Sequence, residues 1–161
     1  MDDPPQLAGM STEQFAKVVL TGLYTSIVAQ ERGALAGGVE AIHDMRVATR
    51  RLRVALINFA VTLSREDRLR ILARLKNLAE ALGGVRDFDV MIEVIEARLA
   101  ANPDNKAIMS FIGRLRSQRK QRQRQLVSYL AGEDYAGFKR ENFADLIQSQ
   151  PTEMKKHGQA A

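Results

Sequence analysis

Apolar residues recur along this chain at three- and four-residue intervals, in blocks separated by glycine, proline and short polar runs, a spacing that predicts helices. Phe15, Val18, Val19, Leu23, Ile27 and Val28 form the first block. Ser11 can cap its start while Gln14 reaches back in a capping box, and Gly37-Gly38 offers a stop. The second block carries Met45, Leu52, Leu56 and Phe59 on one side and is expected to continue to about Leu63. Ser64 then predicts the cap of a third helix, with Glu66 and Asp67 in the first turn where acids suit the dipole, and Gly83-Gly84 predicts its end. Asp87 reads as the N-cap of a fourth helix, through Val90, Met91, Val94, Ile95 and Leu99, that stops at Asn102-Pro103. A long fifth helix starts at Asp104 or Asn105 and closes at Gly132. A last one runs through Phe138, Phe143, Leu146 and Ile147 to just before Pro151. No segment shows the alternation and β-branched enrichment of strands. The expected fold is therefore all-α, an antiparallel helical bundle of about six helices joined by short loops. It spans residues 11–148, with 1–10 and 149–161 as flexible termini.

Composition narrows this picture. With 161 residues, 45% hydrophobic and 27% charged, the chain can bury one real core. It has no cysteine, which rules out disulfides and thiolate metal ligands and fits the reducing cytosol. No apolar run approaches the ~18–20 residues of a membrane span, and the start Met1-Asp2-Asp3-Pro4-Pro5 lacks the basic region of a signal peptide. A cytoplasmic protein without a membrane partner is expected. The net charge of +5 favours acidic partners, and 17 of the 24 basic residues are Arg, whose planar fork matches phosphate bidentately.

Much of that charge is concentrated. Residues 43–53 carry His43, Arg46, Arg50, Arg51 and Arg53 against one acid, Asp44. At 100° per residue, Arg46, Arg50 and Arg53 share a side with His43, while Met45, Leu52, Leu56 and Phe59 take the other. Like charges at i,i+3 and i,i+4 cost an isolated helix roughly 0.2–0.5 kcal/mol per pair, a cost that packing does not require and a bound anion would offset. A second acid-free cluster runs from Arg114 to Arg124. There Arg119 and Arg122 occupy apolar-stripe positions between Leu115 and Leu126, so they point inward or along a groove. That groove must be wet, paired with acids such as Asp87 or Asp89, or occupied by an anion. His43 lacks a second histidine at ligand spacing, which argues against a metal site. Neither a nucleophile with a neighbouring base nor a Walker-type loop is present.

The two blocks His43-x-x-Arg46-Val47-x-x-Arg50-Arg51-x-Arg53 and Leu78-Ala79-x-x-Leu82-Gly83-x-x-Arg86-Asp87-x-Asp89-Val90 resemble the CHAD domain, the conserved histidine α-helical domain. The resemblance covers roughly residues 11 to 148 and includes Tyr135 and the amphipathic segment after it. It implies a non-catalytic module that binds inorganic polyphosphate on a basic face, with no cofactor, associated with polyphosphate granules or with a polyphosphate- or triphosphate-metabolising enzyme. By matching positions it implies contacts from His43, Arg46, Arg50, Arg51, Arg53 and Arg86. Arg74, Lys76, Arg119 and Arg122 join them from the helical reading. Family members have two related helical halves, whereas this chain has one, which implies a homodimer that rebuilds the pair. The alternative is a nucleic-acid-binding helical protein. Nine Phe and Tyr residues, nearly all at apolar-stripe positions and not interleaved with the basic clusters, speak against it. Less favoured is a metal-dependent phosphohydrolase using Asp87 and Asp89.

Overall fold

Capping side chains open three of the six α-helices in the computed structural model, which describes residues 9–141 and Leu146. The Ser11–Gln14 capping box forms in both directions, at 3.2 and 2.9 Å, and opens α1 (Thr12–Ala29). Ser64 Oγ accepts from the Asp67 amide at 3.0 Å and opens α4 (Arg65–Ala101). Asn105 Oδ1 accepts from the Ile108 amide at 3.0 Å and opens α5 (Lys106–Leu130). Between these lie the short α2 (Glu31–Leu35), α3 (Val39–Asn58) and a 3-10 turn at Ala60–Thr62; α6 (Glu133–Lys139) follows α5. The described residues are helical and contain no strand, as expected of an all-α bundle.

Three boundaries differ from the sequence reading. The first helix breaks at Gln30 instead of running to the glycines, and α3 ends at Asn58 instead of near Leu63. Phe143 and Ile147 of the expected last helix lie outside the described residues, as do the two terminal segments beyond them and before Gly9. The third difference is the largest: Gly83-Gly84 does not end a helix and Asp87 does not cap one, because α4 runs unbroken for 37 residues.

Magnitudes explain why. Ile71, Leu75, Leu78, Leu82, Val85 and Asp89 are buried at alternating intervals of four and three, one continuous seam through the glycines. Two helical glycines cost about 2 kcal/mol together, whereas burying Leu82 and Val85 contributes roughly 1.5–3 kcal/mol each. Neither glycine adopts the positive φ that a glycine helix stop uses; Gly37, after α2, does, at φ +79°.

The core lies where α1, α3, α4 and the end of α5 converge. Leu20, Ile27, Ile42, Met45, Leu52, Leu56, Leu75, Leu82 and Leu126 are fully buried there. In α1 the inward positions are Ala16, Leu20 and Ile27, so Phe15 and Val18 of the expected stripe face outward. At one end α6 closes the bundle with Tyr135 and Phe138, whose rings stack at 5.9 Å. The Tyr24 hydroxyl donates to the Lys139 carbonyl at 2.7 Å. The buried Glu141 carboxylate accepts from Arg70 at 3.2 Å through both oxygens and also pairs with Arg74. This end of the bundle is tied by charge as well as by apolar contact.

Two tyrosines at that end give the fold a pH signature. Burial pushes the Tyr135 hydroxyl above its ordinary range, reinforced by the Glu31 carboxylate. Burial and the hydrogen bond to Asp134 do the same to Tyr129. The unfolded chain therefore releases phenolic protons at an ordinary pKa of about 10 that the native state still holds, and stability falls as pH rises through that value. Urea unfolding is expected to show a lower midpoint at about pH 11 than at about pH 9, with a shallower fall in Tyr135→Phe.

Candidate anion-binding site

On α3 the buried side is Ile42, Met45, Ala48, Leu52 and Leu56, which turns the basic residues outward. Arg46, Arg50 and Arg51 are exposed and Arg53 is half-buried. All four line one groove of about 720 Å³, walled by Phe15, Val19 and Leu23 of α1 and reaching Ala79 of α4. None of the four forms an ion pair with an acid among the described residues. His43, half-buried, sits one turn earlier on the same helix. The α1 wall was not anticipated. Its signal was Phe15 and Val19, which the sequence reading placed only in the first helical block.

Arg119 and Arg86 belong to a different place. They line a cleft of about 490 Å³ with Arg116 and four acids, Glu40, Asp89, Glu93 and Glu96. Arg119 Nε donates to Asp89 Oδ1 at 2.6 Å, and its Nη2 donates to the Gly37 carbonyl at 2.8 Å. Of the three ways to satisfy an inward arginine, Asp89 supplies the ion pair. One turn on, Gln123 Nε2 donates to the Ala34 carbonyl at 2.8 Å. Together these bonds fasten α5 to the turn between α2 and α3. Arg116 reaches Glu96 at 2.7 Å, but both are solvent-exposed enough for that pair to contribute little.

One arginine from each basic helix reaches the glycines of α4. A Cβ at Gly83 would lie 3.9 Å from Arg46 Nε, and one at Gly84 would lie 3.5 Å from Arg122 Cδ. Arg46 comes from α3 and Arg122 from α5, so Gly83-Gly84 is a bare strip of α4 flanked by arginines of two helices. Arg122 is otherwise exposed, bonded only to Gln125 one turn along. The heptad seam through Leu78, Leu82 and Val85 was the available sign that these glycines lie inside a helix.

The remaining sequence candidates scatter. Arg74 turns toward α6, where it pairs with Glu141, lies 3.8 Å from Asp134 and packs its guanidinium over Gly137. Lys76 is exposed two turns before Gly83 and sits 3.9 Å from Glu80. Asp87 and Asp89 lie about 200° apart around α4. Asp87 is exposed and Asp89 is buried against Arg119, so the two carboxylates cannot share one metal ion. No group of His, Asp and Glu with metal-holding geometry occurs among the described residues, and no helix among them is long and apolar enough to cross a membrane.

Arg119→Ala should cost about 3 kcal/mol of stability, because it strands a buried carboxylate whose second oxygen already lacks a hydrogen-bond partner. Urea unfolding measures this. Adding Asp89→Asn is expected to recover part of the loss, since the charge left behind is then gone.

No curated protein and no solved structure matches the chain. The model of the CHAD domain matches residues 18–161. With both sequence blocks placed on one helical bundle and nearly the whole length matched, the chain belongs to the CHAD domain family.

Proposed function

We propose that this chain binds inorganic polyphosphate along the groove of Arg46, Arg50, Arg51 and Arg53, with Arg122 joining across the Gly83-Gly84 strip and His43 at one end. It is a binding module without catalysis. The observation that carries this is four arginines on one groove with no carboxylate to neutralise them. Membership of a family linked to polyphosphate binding in general supports the choice of anion. A linear polyanion suits such a row, because each guanidinium fork can hold a phosphate through two charge-assisted hydrogen bonds. The absence of Cβ atoms at the glycines lets the polyanion approach the α4 backbone between the two arginine walls. Arg74 and Arg119 stay outside the proposed contact set because each already serves an acid. Arg86 lies in the separate cleft beside four acids, and Lys76 lies outside the groove lining.

Pairing into a homodimer, a cytoplasmic location with recruitment to polyphosphate granules, and a polyphosphate- or triphosphate-metabolising enzyme as partner belong to the same proposal. Opposite placement of Asp87 and Asp89 weighs against the phosphohydrolase reading. The groove aromatics Phe15 and Phe59 pack edge to face on each other at 5.8 Å, which favours an inorganic polyanion over stacked bases.

The test is competition between long-chain polyphosphate, double-stranded DNA and RNA at matched charge and several salt concentrations. Polyphosphate should win, with affinity falling steeply as salt rises. A preference for nucleic acid overturns the proposal. Arg46→Ala with Arg50→Ala should weaken polyphosphate binding by about tenfold or more, since a charged hydrogen bond contributes about 1.5–3 kcal/mol, while circular dichroism stays unchanged.

The glycine strip makes a second, sharper expectation. A methyl at Gly83 or Gly84 meets only ordinary contacts, so Gly83→Ala and Gly84→Ala should each stabilise the fold by about 1 kcal/mol. The same substitutions should weaken polyphosphate binding, raising the urea midpoint and the dissociation constant together.

A further inference from the structure

Beyond the basic strip, the outer face of α4 continues into a surface that nothing in the described chain covers. Asp87, Val90, Met91, Val94 and Arg98 recur at intervals of three, one, three and four, directly opposite the buried seam. Val90, Met91 and Val94 are 43%, 42% and 52% exposed, a contiguous apolar stripe in the middle of a long helix. An exposed acid, Asp87, bounds it one turn before and an exposed base, Arg98, one turn after. Neither forms an ion pair within the described residues.

This stretch also lies outside the main core. The central cluster ends at Val85 on α4 and is joined again from α5 only at Leu126. Between those points α4 and α5 pack mainly on each other, with Ile112 and Leu115 of α5 buried outside the central cluster, and only Arg119 and Gln123 tie α5 back to Gly37 and Ala34. Two helices alone cannot enclose all their apolar surface, and a second pair laid against them is the ordinary solution.

We infer that the occupant is a second copy of this chain, with α4 laid antiparallel on α4 about a two-fold axis. The stripe complements itself in that orientation. Met91 of each copy falls opposite Val94 of the other, and Asp87 falls opposite Arg98, giving one apolar centre and two symmetric ion pairs. A parallel alignment sets Asp87 against Asp87 and Arg98 against Arg98. An acidic or a basic foreign helix would match one end of the stripe and oppose the other. The antiparallel register also places the two glycine strips at opposite ends of the joint, about 27 Å apart along the helix axes. This names the interface for the homodimer proposed above; polyphosphate binding by one chain does not depend on it.

Sedimentation equilibrium of the full chain tests the inference. The unaltered protein should be a dimer at micromolar concentration and Val94→Glu a monomer with unchanged helix content. Asp87→Arg should weaken association by about tenfold, because each of its two ion pairs becomes a like-charge contact. Asp87→Arg combined with Arg98→Asp should return it to near the original value. A monomeric unaltered protein overturns both the interface and the homodimer. A dimer that ignores Val94→Glu, or a charge reversal that restores nothing, overturns the interface and leaves pairing through another face. Should Val94→Glu fail to fold, the charge-reversal pair decides alone. Polyphosphate binding by Val94→Glu, measured in the same competition assay, separates these results from the fate of the proposed function.

Discussion

The basic surface depends on α4 running without interruption past two glycines. A helix that stopped at Gly83 would free the next segment to change direction, and the arginines of α3 and α5 would have no common floor. What keeps it continuous is the buried seam of Leu75, Leu78, Leu82, Val85 and Asp89, whose burial outweighs the propensity cost of the glycines. The middle of the helix thereby carries a bare patch of backbone flanked by Arg46 of α3 and Arg122 of α5. Both the groove on one side and the α4–α5 pair on the other take their direction from the same helix.

Electrostatics then divides the arginines into two populations. Arg70, Arg74 and Arg119 reach into the protein, and each finds a carboxylate: Glu141 for the first two and Asp89 for the third. Arg74 and Arg119 are mostly shielded from water, where an unpaired guanidinium is costly, whereas Arg70 lies nearer the surface. Arg46, Arg50, Arg51 and Arg53 stay at the surface, where water solvates them and no acid is supplied. The first population holds α4, α5, α6 and the α2–α3 turn in register. The second is left with its full charge, which is the condition for binding a polyanion strongly and for losing it in salt.

Much of this was legible in the residue order. Ser11, Ser64 and Asn105 announced helix starts because a capping side chain needs only its own next turn to act. The two-block pattern from His43 to Val90 announced the family, and the period of Met45, Leu52 and Leu56 announced which side of α3 faces out. The inward turn of Arg119 was equally visible as a base at a stripe position. Misread were features whose meaning depends on a neighbour distant in sequence. Gly83-Gly84 resembles a stop to any local rule, and Asp87 a cap, until the seam on the far side of the helix is weighed. Phe15 fits the apolar stripe of α1 until the packing of α3 leaves it exposed at the edge of a groove.

The sequence by itself determined the helices, their caps and the stock of unpaired positive charge, because those follow from interactions within a turn or two of the chain. Tertiary structure decided which arginines are spent on internal acids, which stay without one, and that Arg46 and Arg122 each reach the Gly83-Gly84 strip of α4. Those outcomes rest on contacts such as Arg119 with Asp89 and Arg74 with Glu141, thirty and sixty-seven residues apart, whose formation depends on packing that no local pattern encodes.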